Sequence, residues 1–334
     1  MRNKILFFLM GLVVLLLCAI CFLIYRTPKV EVKNFGVTFS KLQALDLGLD
    51  WQESYKAIFE DLGFDSVRVP VYWSEIETKE GIFDYSSLDW MLDIAGDYNA
   101  KVILVIGRKV PRWPECHEPQ WAKDKEIDLR NASLLSFMET TIKRYDGNSI
   151  VWAWQVENEP FLNFGECPKF EDVFLDKEIA LVKSLSKKPV VVTDSGEIST
   201  WFDAYKRGDI FGTTLYRTVW SDSFGYIKYP LPPSFFRLKK GLVKTFFGEK
   251  PSVVIELQAE PWGPMLIQDL IVEEQLVSMN PEKFVELMEY IEGTGFDTFY
   301  LWGVEWWYYL KENGHPEMWD LVQSQILNLK SKNL

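Results

Sequence analysis

The chain has 334 residues, 25% of them charged and 48% hydrophobic, which excludes a disordered polymer and leaves room for one large α/β domain. A formal net charge of −12 argues against a nucleic-acid partner, since phosphate binding requires a basic surface. Only two histidines occur, His117 and His315, and neither a P-loop nor a GxGxxG run is found, so no metal site and no cofactor is expected.

Met1-Arg-Asn-Lys4 is basic, and Ile5 to Tyr25 carries no charge. As a helix that stretch would measure about 31 Å, enough to cross a bilayer core. Around Phe22-Leu-Ile-Tyr-Arg-Thr-Pro28 there is no small-residue cleavage site, and Cys18 and Cys21 follow large residues. The segment 5–25 is therefore expected to be an uncleaved transmembrane signal anchor, followed by a linker over 26–33. The remaining domain, 34–334, is expected outside the cytoplasm.

Phe35 to Phe39 reads as a first strand. Trp51 to Leu62 has helical spacing and stops at Gly63. Ser66 to Val71 is a second strand, Ser86 to Tyr98 a helix, and Lys101 to Ile106 a third strand. A Pro/Trp-rich loop over 109–121 precedes a helix at Asn131–Tyr145. The fourth strand begins at Ile150 and leads into Gln155-Val-Glu-Asn-Glu-Pro160, where Pro160 can no longer donate to a sheet. A helix at Phe170–Leu185 and strands at Pro189–Thr193 and Ile210–Tyr216 follow. Next come a helix at Ser234–Phe247, a seventh strand at Val253–Glu256, a helix at Pro281–Glu292 and an eighth strand at Thr298–Trp302. The last helix is Met318–Leu329. Eight continuous apolar strands alternating with helices predict an α/β fold, a parallel (β/α)8 barrel preceded by one N-terminal transmembrane helix.

In such a barrel, chemistry sits on the loops that follow the strands. Those loops carry Arg68 and Trp73, Arg108 and Trp113, Asn158 and Glu159, Asp194 and Glu197, Tyr216, Glu256, and Trp302, Glu305 and Trp306. Two carboxylates on two strand tips, Glu159 and Glu256, are what acid/base and nucleophilic work on a glycosidic bond needs. The chain is also rich in tryptophan, whose ring faces match the apolar face of a pyranose. Trp113, Trp121, Trp220, Trp262, Trp306 and Trp307 are candidate sugar platforms, each equally readable as core or rim packing.

Trp154-Gln-Val-Glu-Asn-Glu-Pro160 resembles the strand-four Asn-Glu-Pro motif of the clan A (β/α)8 retaining glycoside hydrolases. Arg68, Tyr216, Glu256 and Trp302 fall where that clan places an arginine, a tyrosine, the nucleophile and an aromatic platform. The pattern over roughly 34–330 is similar to a family 5 cellulase-like domain, while Ile255-Glu-Leu-Gln-Ala-Glu-Pro-Trp262 resembles the strand-seven segment of family 42. Family 5 enzymes commonly carry a histidine after strand three or six; here Arg108 and Tyr216-Arg217 stand there. The resemblance implies Glu159 as acid/base, Glu256 as nucleophile, and Asn158 as donor to the sugar 2-hydroxyl. Arg68, Tyr216, Trp302, Trp73, Trp113, Trp262 and Trp306 complete the expected substrate-binding set. Glu157 and Glu260 are the rival carboxylates, and Glu260 is expected out on its loop. The expected activity is hydrolysis of a β-linked poly- or oligosaccharide. The alternatives are a transglycosylase acting on envelope glycans and a barrel that only binds glycans. Finally, Cys116 and Cys167 lie in the loops after adjacent strands three and four, where an exported domain would form a disulfide.

Overall fold

The structure is a computed structural model that describes residues 10–11 and 28–332. Eight parallel strands close into a barrel: β1 (Asn34–Thr38), β2 (Ser66–Pro70), β3 (Lys101–Ile106), β4 (Val151–Val156), β5 (Val190–Asp194), β6 (Ile210–Leu215), β9 (Ser252–Gln258) and β10 (Thr298–Trp302). Closure runs through β10, whose residues Thr298 to Trp302 pair in register with Asn34 to Thr38. The strands are apolar along their whole length because both faces are buried: helices cover the outside and side chains fill the inside. Val102, Leu104 and Ile106 of β3 face the helices with Val67, Trp154 and Val192, whereas Ile103, Ala153, Val191, Ile255 and Tyr300 fill the barrel floor.

The expected strands are all present, and the differences lie between them. A short antiparallel hairpin, β7 (Thr218–Ser221) with β8 (Gly225–Lys228), is inserted after β6. The expected helix at 131–145 begins earlier, and α1 (Ile127–Tyr145) packs against the helix Asp172–Leu185 that follows β4. After the hairpin, α2 (Pro233–Phe247) leads into β9. An additional helix, α3 (Val304–Glu312), follows β10 directly. That helix starts at Gly303, whose φ of 137° only glycine adopts readily and whose missing side chain leaves space for Glu260. The final helix is Glu317–Lys332.

The expected transmembrane anchor at 5–25 falls almost wholly outside the described residues; among those described, no helix is long and apolar enough to cross a membrane. The chain enters the barrel at the end opposite the strand tips. Val30 N–H donates to the Glu292 carbonyl at 2.8 Å and Lys33 N–H to that of Asp297 at 2.8 Å, both just before β10 begins.

Candidate active site

The mouth of the barrel is organised around Arg68, a fully buried guanidinium on β2. A buried cation is tolerable only when its donors are satisfied by well-placed acceptors. Here Nη1 donates to Glu256 Oε1 at 2.9 Å, Nη2 to Asn158 Oδ1 at 2.7 Å and Nε to Gln155 Oε1 at 2.8 Å. Arg68 thus joins the tips of β4 and β9 from across the barrel. The other oxygen of Glu256 accepts from the Tyr216 hydroxyl at 3.1 Å. Burial and the Glu256 charge hold the Tyr216 pKa well above its ordinary value, so the phenol stays a donor.

Glu159 occupies a contrasting environment. It is buried, and Thr214 donates its hydroxyl to Oε1 at 3.1 Å. Its own N–H is held by Thr193 Oγ1 at 2.8 Å. Burial, reinforced by the charges of Glu256 and Glu115, pushes the Glu159 carboxyl well above the ordinary carboxylate range. The backbone there is strained: Glu157 and Glu159 have φ of 58° and 43°, a left-handed conformation that non-glycine residues adopt at a cost. The double turn sends the two carboxylates in different directions. Glu157 leaves the cleft, its oxygens accepting from the N–H groups of Arg108 at 2.7 Å and Lys109 at 2.6 Å. A side chain at position 107 would collide with that carboxylate, and Gly107 supplies the gap. Glu157 therefore braces the loop after β3, which separates it from its rival Glu159.

Asn158 sits between them with Oδ1 committed to Arg68. Its Nδ2 faces Glu115 Oε2 at 3.4 Å. Glu115 is a third buried carboxylate at this mouth, at φ 71° in the loop after β3. Burial pushes it up to about 8; Lys109 opposes this and Glu256 adds to it. The disulfide Cys116–Cys167, with Cα atoms 5.2 Å apart, ties that loop to the loop after β4.

On the opposite wall, Arg112 donates to Glu260 and, at 2.8 Å, to Glu305 Oε2, while its guanidinium lies 4.1 Å from the centre of the Trp302 ring. Trp302 Nε1 donates to Glu260 Oε1 at 2.7 Å. Glu260 is thus buried beside the platform, not out on its loop as the sequence suggests. Its Oε2 and Arg112 Nε are buried without a hydrogen-bond partner among the described residues.

The expected aromatic set divides. Trp302 flanks the site. Trp113 lies half-exposed on the rim, and Trp262 packs edge-on to Tyr216 at 5.5 Å. Phe164 bridges them, 6.0 Å from Trp113 and 5.8 Å from Trp262, so a row of rings runs from the rim down to the partner of Glu256. Trp73 and Trp306 do not reach the cleft. Trp73 is fully buried against Trp121 and Phe137 and donates to Glu77 at 2.7 Å; Trp306 is fully buried on α3 and donates to Gln275 at 2.7 Å. Each follows a strand tip but opens a helix whose apolar side faces the core, so the loop position that nominated it turns inward. Arg108 likewise pairs with Glu118 and Asn131, away from Glu256. Gln155, Glu115 and Arg112 are the members of the site that pattern reading passed over. The inward parity of Gln155 with Glu157 on β4 is the one signal that was available for any of them.

Comparison with known proteins agrees with this geometry. The model of the cellulase family, glycosyl hydrolase family 5, matches residues 31–182, which include Arg68, Asn158 and Glu159. The β-galactosidase BgaA of Clostridium cellulovorans is 23% identical over 172 residues, 45% of this chain and 26% of that protein. Among solved structures, the β-galactosidase from Rahnella sp. R3 superposes with a TM-score of 0.64 at 12% identity, covering 91% of this chain and 57% of the other. GH5_18 from Streptomyces cattleya, solved in complex with GlcNAc, gives a TM-score of 0.56 at 12% identity, covering 81% and 70%. The chain spans about a quarter of the matched curated relative and little more than half of the β-galactosidase structures. In the matched family model and in the residues at the barrel mouth, this chain is similar to the family 5-like, clan A (β/α)8 glycoside hydrolases.

Proposed function

We propose that the domain hydrolyses β-O-glycosidic bonds of an oligo- or polysaccharide by double displacement with retention. The observation that supports this most is the pair of glutamates on opposing strand tips in opposite environments. Glu159 is dry, flanked by negative charge and kept protonated. Glu256 has both oxygens hydrogen-bonded, one by a guanidinium. Carboxylates driven apart in this way divide into acid and nucleophile. In the first step a Glu256 oxygen bonds to the anomeric carbon as the glycosidic C–O bond breaks, and Glu159 passes its proton to the departing oxygen. In the second, Glu159 takes a proton from water, the water oxygen attacks the anomeric carbon, and the ester to Glu256 is released. Asn158, oriented by Arg68 and Gln155, presents Nδ2 for the sugar 2-hydroxyl. The ring row from Tyr216 to Trp113 lines a path for the rest of the chain.

The uncharged segment 5–25 is proposed as a membrane anchor. The test is a panel of chromogenic β-glycosides assayed with the purified protein, with the variant Glu256→Ala as blank. Turnover of at least one glycoside, absent from the blank, is the expected result; no turnover of any glycoside despite binding of oligosaccharides would leave a glycan-binding barrel instead.

A further inference from the structure

Helix α2 (Pro233–Phe247) carries an apolar stripe that the described residues leave largely exposed, Phe202 alone bringing its ring to Phe246 and Phe247 at 5.2 and 5.6 Å. Leu238, Leu242 and Phe246 recur at helical spacing with exposures of 53%, 54% and 66%, and Phe247 beside them is 41% exposed. A contiguous exposed apolar stripe marks a contact surface. The helix also differs in charge from the rest of an acidic chain. Between Asp222 and Glu249 there is no acidic residue, while Lys228, Arg237, Lys239, Lys240 and Lys244 fall within that span. Lys239 and Lys240 reach sideways to the carbonyls of Gly196 and Gly295, and Lys244 forms an exposed ion pair with Glu249 at 2.9 Å. The cations flank the stripe and leave it open.

The position of this helix identifies its occupant. Arg237, one residue from Leu238, donates from Nε to the Gly293 carbonyl at 3.3 Å and from Nη2 to the Pro28 carbonyl. Pro28 is where the chain arrives from the uncharged run that ends at Tyr25. Only Arg26 and Thr27 separate Tyr25 from Pro28 in the sequence, so the uncharged run leads directly to the residue that α2 holds. We propose that α2 lies in the membrane interface, Leu238, Leu242 and Phe246 dipping among the acyl chains while the exposed Lys244 meets anionic headgroups. A basic, apolar-faced helix free of carboxylates is the chemistry such an interface takes. With the anchor it gives the barrel a second point of attachment, which fixes the tilt of the domain instead of leaving it to swing on its linker. The proposal rests on the reading of 5–25 as a membrane anchor.

The test uses the full chain in vesicles of phosphatidylcholine and phosphatidylglycerol at three to one. Cys18 and Cys21 are replaced by serine, and nitroxide labels are placed singly through Leu238→Cys, Leu242→Cys and, as a control, Ile82→Cys, which is 63% exposed on the loop after β2. Flotation reports the anchor, and power-saturation spectroscopy with oxygen and a polar nickel chelate reports the environment of each label. The expected result is co-flotation, with labels at 238 and 242 more accessible to oxygen than to nickel and the label at 82 the reverse. Co-flotation with 238 and 242 as open to nickel as 82 overturns the interfacial helix and leaves the anchor standing. Labels at 238 and 242 closed to both reagents mean that protein, another copy or the N-terminal segment, covers the stripe, and also overturn it. A chain that does not float overturns both readings.

Discussion

Removing the Cys116–Cys167 bond should weaken both the fold and the site, by amounts that follow from its position. The bond closes a loop with a sequence separation of 51. The loop-entropy relation then gives a stabilisation of about 4 kcal/mol, an upper figure because native strain subtracts from it. A domain of about 300 residues unfolds with an entropy near 0.6 kcal/mol/K, so the paired variant Cys116→Ser/Cys167→Ser should melt about 6 °C lower than the parent. The reduced parent should match the variant within about 2 °C, since both lose the same constraint. Activity should fall as well. Cys116 is bonded in sequence to Glu115, and Gly165, two residues before Cys167, packs so closely on Glu115 that a side chain at 165 would overlap it. Loosening either loop frees Glu115 and, through it, Asn158. Calorimetry with and without reductant, paired with a thiol titration of the native protein, decides the matter. Two titratable thiols in the native domain, or a melting point unmoved by reduction, would refute the reasoning.

Other consequences are equally direct. Glu159→Ala should lower kcat/KM by about 10²–10⁴ on glycosides with poor leaving groups and far less on dinitrophenyl glycosides, which need little proton donation. In the parent, kcat/KM should fall as pH rises through the elevated Glu159 pKa, and that alkaline limb should vanish in Glu159→Ala; an unchanged limb would assign it elsewhere. Stability has its own pH dependence. Burial pushes Glu115 up to about 8 and Glu197 to about 7, so in this range the folded state binds more protons than the unfolded state. Stability should therefore decline from about pH 5 to pH 9, most visibly in denaturant titrations, and Glu197→Gln should flatten part of that slope. Trp73→Ala should cost about 3–5 kcal/mol of stability as a core truncation, whereas Trp113→Ala on the rim should leave stability nearly unchanged and raise KM.

The barrel is legible in the sequence because parallel strands buried on both faces are continuous apolar runs, and Lys101–Ile106 or Thr298–Trp302 can hardly be read otherwise. The proposed acid/base is legible because three polar residues and a proline, Glu157 to Pro160, follow β4 at its tip. What escaped depends on backbone geometry that periodicity does not encode. The left-handed turns at Glu157 and Glu159 separate two carboxylates of equal parity, and only their φ angles and Gly107 show which one faces the cleft. Glu115 enters the site because the disulfide at Cys116 and its own left-handed backbone aim it there. Helix α3 was hidden for a different reason: Trp306, Trp307 and Leu310 form its apolar face, and a tryptophan cluster after a strand tip resembles a sugar platform until the helix is seen to bury it. The β7–β8 hairpin consists of two four-residue strands, too short for an alternating pattern to register.

The claim that Glu256 attacks and Glu159 protonates is tested most directly by proton NMR of the first product released from whichever β-glycoside the enzyme turns over, with Glu256→Ala in azide run alongside. Double displacement predicts that the β-anomer appears first and mutarotates afterwards, and that the variant releases the α-glycosyl azide, because azide takes the place of the missing carboxylate on the face that it vacates. Release of the α-anomer by the parent enzyme would contradict the account, since a single displacement by water leaves no nucleophilic role for Glu256.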